Sequence, residues 1–525
     1  MIDGRRDGGR DHPAAVAAVI VLWLAATAWM RPLMLPDEGR YVGVAWEMMR
    51  SGDWLTPTLN GLPFFHKPPL FYWITAGAMS LFGLHEWAAR AAPMFGAMLG
   101  ALSLYLFIRR WSDQRAARLT LLALLAQPLF YLGGQYANLD MLVAGCITAT
   151  IVLLAHVTLA IERGLPHRTA LALAYAMAAA GVLAKGLIGL VIPALVVAVW
   201  LLMLRRWRAL VALIWIPGAL LFLLLAAPWF VAMQSRYPPF LDYFFVVQHF
   251  KRFAQAGFNN MQPFWFYPAV LVLLSLPWLP WLHRLFTRGY LTDPERSPIR
   301  LLLWLWVLMV VLFFSMPRSK LVGYILPAVP PLAALMADGF VQLGAPSVRA
   351  RRLWIATVVA TCTVSLGIVV GLALRPPKSL RDLGSTLSAQ HAAAEPVFML
   401  AGYYYDVPFY ARLKDPARVV DDWASADVQT RDNWRKELAD AAQFSAARAD
   451  WALVLPAALP GAVCSSPVSW VIGPASAVAR YPFLQTAKVA FSARDTTLWR
   501  IGPDSTATFS SLRCEGKPSA GPADR

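Results

Sequence analysis

Six short stretches carry residues able to hold a phosphate and orient an attacking group. Asp37 and Glu38 sit in Leu35-Pro-Asp-Glu-Gly-Arg-Tyr41, with Arg40 beside them. His66 and Lys67 lie in Phe64-Phe-His-Lys-Pro-Pro69, Asp140 closes Tyr136-Ala-Asn-Leu-Asp140, and Lys185 precedes Gly186. His249, Lys251 and Arg252 fall between 243 and 260, while Arg318, Lys320 and Tyr324 share Met316-Pro-Arg-Ser-Lys-Leu-Val-Gly-Tyr324. A phosphate needs fixed cations, Arg acting as a fork and Lys as a point charge. A nearby carboxylate can orient an attacking hydroxyl or take its proton. There is no Gly-x-x-x-x-Gly-Lys loop for nucleotide phosphates, which suits a substrate activated elsewhere.

Each residue also has a plainer reading. Asp37 could simply cap a helix running to about Ser51, with Tyr41, Ala45 and Met48 on its apolar face. Asp140 could cap its own helix, and Lys185 could be a snorkelling lysine. His66 and His249 could be ordinary hydrogen-bonding residues or share a metal. The clusters at Arg109, Arg205 and Arg351 read as topology signals. The pattern favours chemistry, because acids and cations collect at one end of apolar runs whose centres are nearly free of charge. Ionisable groups are costly at membrane depth, so a functional site is the default expectation there.

The elements that must position these residues are membrane helices. Of 525 residues, 58% are hydrophobic and 15% charged, with mean hydropathy +0.51. That excludes a soluble or disordered chain. The net charge of +17 would suggest nucleic acid in a soluble protein. Here 30 basic against 15 acidic residues lie in 1–374, and 17 against 15 in the remainder. A basic excess confined to the loops of an apolar chain is a topology signal instead.

Runs long enough to span lie near 13–31, 88–108, 117–134, 139–161, 169–184, 186–204, 209–231, 264–283, 299–315, 320–342 and 353–374. A twelfth, 69–84, is short and opens with two prolines. Leaving it out puts 19 basic residues on the cytoplasmic side and 11 on the outer side, so the positive-inside rule favours eleven spans. The expected fold is thus a polytopic α-helical membrane protein of about eleven spans plus outer-face interfacial helices. Its N-terminus is cytoplasmic and its first span retained, since no cleavage site precedes Pro32. The transmembrane domain is 1–375, with a first outer loop at 31–87. Residues 376–525 are expected to form a periplasmic α/β domain, with strands near 396–402, 451–455, 468–472, 487–491 and 497–501. Cys464 and Cys514 fall where disulfides are permitted, and pairing and free thiols both remain open. Cys146 and Cys362 read as packing residues inside spans.

At Asp37-Glu38, Lys67-Pro68, Asn138-Leu-Asp140, Lys185-Gly186, Gln248-His-Phe-Lys-Arg-Phe253 and Ser319-Lys-Leu-Val-Gly-Tyr-Ile-Leu-Pro327, the sequence resembles the bacterial aminoarabinose transferases of lipid A. Their wider relatives are the protein O-mannosyltransferases. The resemblance runs in order through roughly 15–340. It implies a GT-C glycosyltransferase that takes a sugar from polyprenyl (undecaprenyl) phosphate, inverting the anomeric centre, in the bacterial inner membrane. It implies catalytic roles for Asp37, Glu38 and Asp140. Lys67, Arg40, Lys185, Arg252 and Lys320 would bind the donor phosphate, with Tyr324 lining the same pocket. The acceptor would be lipid A or another envelope component, and no cofactor would be required. His66 departs from the family, which has Glu before the loop lysine. His66 and His249 remain two possible ligands for a structural metal such as zinc, fewer than the usual three or four. The alternatives are transfer to a protein or another envelope glycan, or a lipid-sugar flippase without transferase activity.

Overall fold

The structure is a computed structural model that describes residues 11–251, 260–287, 289–376, 378–512 and 514, without the side chains of 249–251. The chain divides into two compact units. One runs to Arg31 and then, through its described residues, from Lys67 to Arg375; the other joins Pro32–His66 to the chain from Pro376 on.

The first unit is helical, and every expected apolar run forms helix. In order these are Pro13–Ala25, Ala91–Trp111, Gln114–Ala126 with Pro128–Gly134, Leu139–Glu162, Arg168–Lys185, Ile188–Met203 and Ile216–Arg236. Phe266–Leu274 with Leu279–Leu282, Ser297–Ser315, Val329–Val341 and Val348–Leu374 follow. Among the described residues, six helices are long and apolar enough to cross a membrane, or up to eight if each bent pair is one span. The bends are 70° before Pro128 and 68° at Leu276-Pro277. A proline lacks the N–H for the helical ladder and crowds the preceding turn, so the axis breaks there.

Two short apolar helices sharpen the picture. Pro13–Ala25 stops earlier than its apolar run, where the Thr27 hydroxyl turns to Tyr131 at 2.8 Å and Gln135 at 3.0 Å. Leu70–Phe82 has 13 residues, about 20 Å of helix, too short for a hydrocarbon core of about 30 Å. The apolar stretch of Leu139–Glu162 is 83% buried, whereas those of Ile216–Arg236 and Val348–Leu374 are 28% and 22% buried. Helices that are apolar all round yet bare on most faces need a surrounding apolar solvent.

Among the described residues, the second unit holds eight short strands. Strands β1 (Thr58–Leu59) and β2 (Leu62–Pro63) form a hairpin after the Asp37–Ser51 helix. Strands β3 (Val397–Leu400), β4 (Arg418–Val420), β5 (Leu453–Val454), β6 (Ser469–Pro474), β7 (Lys488–Ala493) and β8 (Thr496–Ile501) make one sheet in the order β5-β4-β3-β6-β8-β7. The first four strands of that order pair parallel, and β8 and β7 add antiparallel. Strand β3 is buried throughout, as a strand covered on both faces must be. Phe398, Leu400, Val420, Val471, Trp499 and Ile501 form part of its core. All five expected strands coincide with observed ones, while β1, β2 and β4 were not foreseen. Cys464 and Cys514 are joined in a disulfide.

Candidate functional site

In the second unit, Asp37 opens a helix whose C-terminal stop is Gly52. Unpaired N–H groups and the helix dipole favour a carboxylate in this first turn. Asp37 is a quarter exposed and lies 3.2 Å from Arg40 Nη1. Arg40 Nε is 3.0 Å from Glu437, whose carboxylate also accepts the Tyr405 hydroxyl at 2.6 Å. The Arg40 guanidinium stacks over the Tyr405 ring at 5.1 Å. Burial opposes the Arg40 charge, but Glu437, Tyr405, Tyr41 and Asp37 outweigh it and raise the guanidinium above its ordinary value. Burial pushes the Glu437 carboxyl up, against the pull of Arg40 and Tyr405. The result is a fixed cation with an accessible acid on one side and a buried acid on the other.

In the first unit, Asp140 sits in the opening turn of Leu139–Glu162, where Asn138 Oδ1 accepts its N–H at 3.0 Å. Asp140 is 6% exposed and forms a close ion pair with Lys185. Lys185 ends its own helix, the end where the dipole favours a cation. Its ammonium lies 4.2 Å from the centre of the Tyr324 ring, within cation–π range. Gly323 is packed onto Asp140, and a Cβ there would collide with the carboxylate. Three sequence-predicted residues therefore meet, from three separate helical segments.

Other predicted residues are placed differently. Glu38, expected as a catalytic acid, is fully buried and accepts the Met34 N–H at 2.8 Å. It holds the turn that presents Asp37 and offers substrate no exposed oxygen. Lys320, expected on the donor phosphate, is 3% exposed and donates to the carbonyls of Gln262 (2.9 Å) and Pro317. Its backbone N–H meets Asn260 at 3.0 Å, so this lysine clips two segments together. Lys67 is half-buried in the bend before Leu70–Phe82. Arg252 lies outside the described residues, as does the His249 side chain. His66 stacks on Phe64 with ring centroids 4.4 Å apart. Among the described residues, no group of three His, Cys, Asp or Glu could hold a metal. Sequence reasoning missed Glu437 and Tyr405, which lie far along the chain and carry no local signal. The cap expected of Asp140 is supplied by Asn138, whose type just before an apolar run is itself a cap signature.

Residues 66–231 match the profile of the dolichyl-phosphate-mannose-protein mannosyltransferases. The fold is that of the GT-C glycosyltransferases: the chain aligns with ArnT from Cupriavidus metallidurans bound to undecaprenyl phosphate at a TM-score of 0.78. That alignment covers 95% of this chain and 98% of the other at 24% identity, and so establishes the fold alone. An undecaprenyl phosphate-alpha-4-amino-4-deoxy-L-arabinose arabinosyl transferase of Aeromonas hydrophila is 37% identical over 316 residues, 60% of this chain and 57% of that protein. The protein of the same name from Pectobacterium carotovorum is 34% identical over 383 residues, 69% and 67% of the two chains. The chain belongs to the family of these aminoarabinose transferases. Its match spans little more than half the length of the Aeromonas relatives.

Proposed function

We propose that this chain is an inverting glycosyltransferase that moves a sugar of the aminoarabinose type from undecaprenyl phosphate to lipid A. The observation that carries this is the family match through the segments bearing Lys67, Asp140 and Lys185. The acceptor oxygen attacks the anomeric carbon as the bond to the donor phosphate oxygen breaks, and undecaprenyl phosphate leaves. The leaving group is a phosphate monoester of low basicity, so it needs charge stabilisation more than a proton. Lys67, Lys185 and Arg252 supply that charge, and Tyr324 lines the donor's binding site.

If the acceptor is a hydroxyl, Asp37 takes its proton. If it is an ionised lipid A phosphate, Asp37 orients it or the sugar. Arg40 holds Asp37 in place, Glu38 and Glu437 act as positioning residues, and Asp140 holds Lys185. No cofactor is assigned to the reaction, and a metal shared by His66 and His249 would order loops. Eleven spans, a cytoplasmic N-terminus and outer-face placement of 31–87 and 376–525 complete the reading, with the inner membrane as location.

The test is transfer itself. Purified protein in nanodiscs is incubated with undecaprenyl phosphate-aminoarabinose and lipid A, and products are read by mass spectrometry. Lipid A gaining one aminoarabinose supports the reading. Movement of donor across a vesicle membrane without product identifies a flippase, and product on a protein or another glycan redirects the acceptor assignment.

A further inference from the structure

The second unit contains a cavity of about 510 Å³ that the reaction above does not use. Its walls include Glu47, Arg50, Asn60, Asp415, Arg448 and Trp451. That volume lies within the range of sites for small ligands. We propose that it is a saccharide-binding subsite that holds glycan of the acceptor away from the reacting centre. This proposal rests on the glycan-acceptor reading given above.

The walls are built to be rigid. At the tip of the β1–β2 hairpin, Asn60 and Gly61 adopt φ of +54° and +74°, the left-handed pair that a two-residue hairpin turn requires. Glu47 is buried and accepts both of their N–H groups, at 2.6 and 2.9 Å. The Asn60 side chain bridges the backbone of Ala417 through two bonds of 2.8 Å. Arg448 Nη1 donates to the Gly61 carbonyl at 3.1 Å. These contacts fix the hairpin to the strand-leading segment and the helix Ala446–Ala452. A preformed site loses less ordering entropy when a ligand binds.

The chemistry on offer suits a sugar. Trp451 is 40% exposed, and Arg418 lies over its ring at 5.1 Å, which holds the indole in place. An exposed indole provides an apolar platform for the C–H face of a pyranose. Around it stand the exposed Arg448 and Asp415, a forked donor and a two-oxygen acceptor. Vicinal hydroxyls pair with such planar groups through two bonds at once. A wholly apolar ligand would leave these polar groups unmatched, at a cost.

The test measures binding with the donor absent, using full-length protein in nanodiscs. The probe is the core oligosaccharide released from lipopolysaccharide by mild acid, with maltotriose as comparison, read by saturation-transfer NMR and calorimetry. The wild type is expected to bind the core oligosaccharide. Trp451→Ala and Arg448→Ala should each weaken it about 10-fold or more, the scale on which central anchors act. Both positions are exposed, so unchanged thermal unfolding shows that the variants are folded. Absence of binding by the wild type, or wild-type affinity retained in both variants, would overturn the proposal. With no donor present the result is independent of sugar transfer, which the product assay decides separately.

Discussion

The Asp140–Lys185 pair permits a quantitative test of whether Lys185 serves the fold or the donor. Both side chains are nearly enclosed, at 8% and 11% exposure, and they touch. Two unit charges in contact interact by about 4 kcal/mol at an effective dielectric near 20. Removing one member of such a pair strands the other, at a cost of roughly 3–5 kcal/mol. Asp140→Asn and Lys185→Met should each lower the unfolding temperature in detergent by on the order of 5 °C or more. The double variant, with neither charge left, should lose much less than the sum, for a coupling near 3 kcal/mol. Undecaprenyl phosphate adds the functional arm. In Asp140→Asn the donor phosphate can replace the missing carboxylate, and saturating lipid at about 100 times its dissociation constant would restore about 2.7 kcal/mol. In Lys185→Met it should restore less. Additive losses, or equal rescue of both single variants, would refute the reasoning.

Asp37→Asn should lower transfer by about 10²–10⁴ if Asp37 takes a proton, with unfolding little changed because Arg40 keeps Glu437 at 3.0 Å; a product assay with matched protein levels decides it. Asp406 is fully buried, accepting Leu380 N–H at 2.8 Å and the Ser379 hydroxyl at 3.2 Å, and burial pushes its carboxyl up to about 7 from 3.8. The folded state therefore keeps a proton that the unfolded chain releases. Its stabilisation is complete below about pH 4 and is lost as pH rises through about 7, a span worth up to about 4 kcal/mol. Unfolding temperatures of Asp406→Asn across that window should lack this slope. Cys464→Ser opens a bridge between residues 50 apart and should cost about 2–5 kcal/mol, with dithiothreitol lowering the wild-type unfolding temperature but not the variant's.

The legible parts of this fold were those with a strong local signal. Apolar runs of membrane length marked the long helices of the first unit, because each must satisfy its own backbone. The helix starts near Asp37 and Leu139 were legible, although the capping positions are Pro36 and Asn138 rather than Asp37 and Asp140. What a linear pattern lacks is depth. Lys320 and Lys185 look alike in sequence, yet one is locked by carbonyls and the other faces an acid and an aromatic ring. Glu38 and Asp37 are adjacent, but a helix separates neighbours by about 100° and sends one inward. Strand β4 has three residues, too few for an alternation to show. Glu437 was invisible because its partner, Arg40, lies nearly 400 residues away.

That long-range pair also makes the C-terminal region inseparable from the first loop. In residues 32–66, Leu33, Leu62 and Phe64 are buried, as are ten of the fifteen residues of the helix Asp37–Ser51. Bonds within the segment, between Met34 and Glu38 and between Glu47 and both Asn60 and Gly61, are joined by contacts made after residue 376. Arg40 meets Glu437 and Tyr405, Leu33 N–H meets the Tyr410 hydroxyl at 2.8 Å, and Phe65 packs edge-on against Phe444. Asn60 adds its two bonds to Ala417. Each neutral bond contributes about 1 kcal/mol, and removing one partner of the buried ion pair costs roughly 3–5 kcal/mol. Losing all of them exceeds what an isolated 15-residue helix can supply. Deleting 376–525 should therefore leave the first unit folded while Pro32–His66 becomes sensitive to protease and transfer disappears. Adding the missing domain in trans should restore protection there if the contacts suffice. A truncated protein that keeps transfer and a protease-resistant first loop would show that Asp37 is positioned without Glu437.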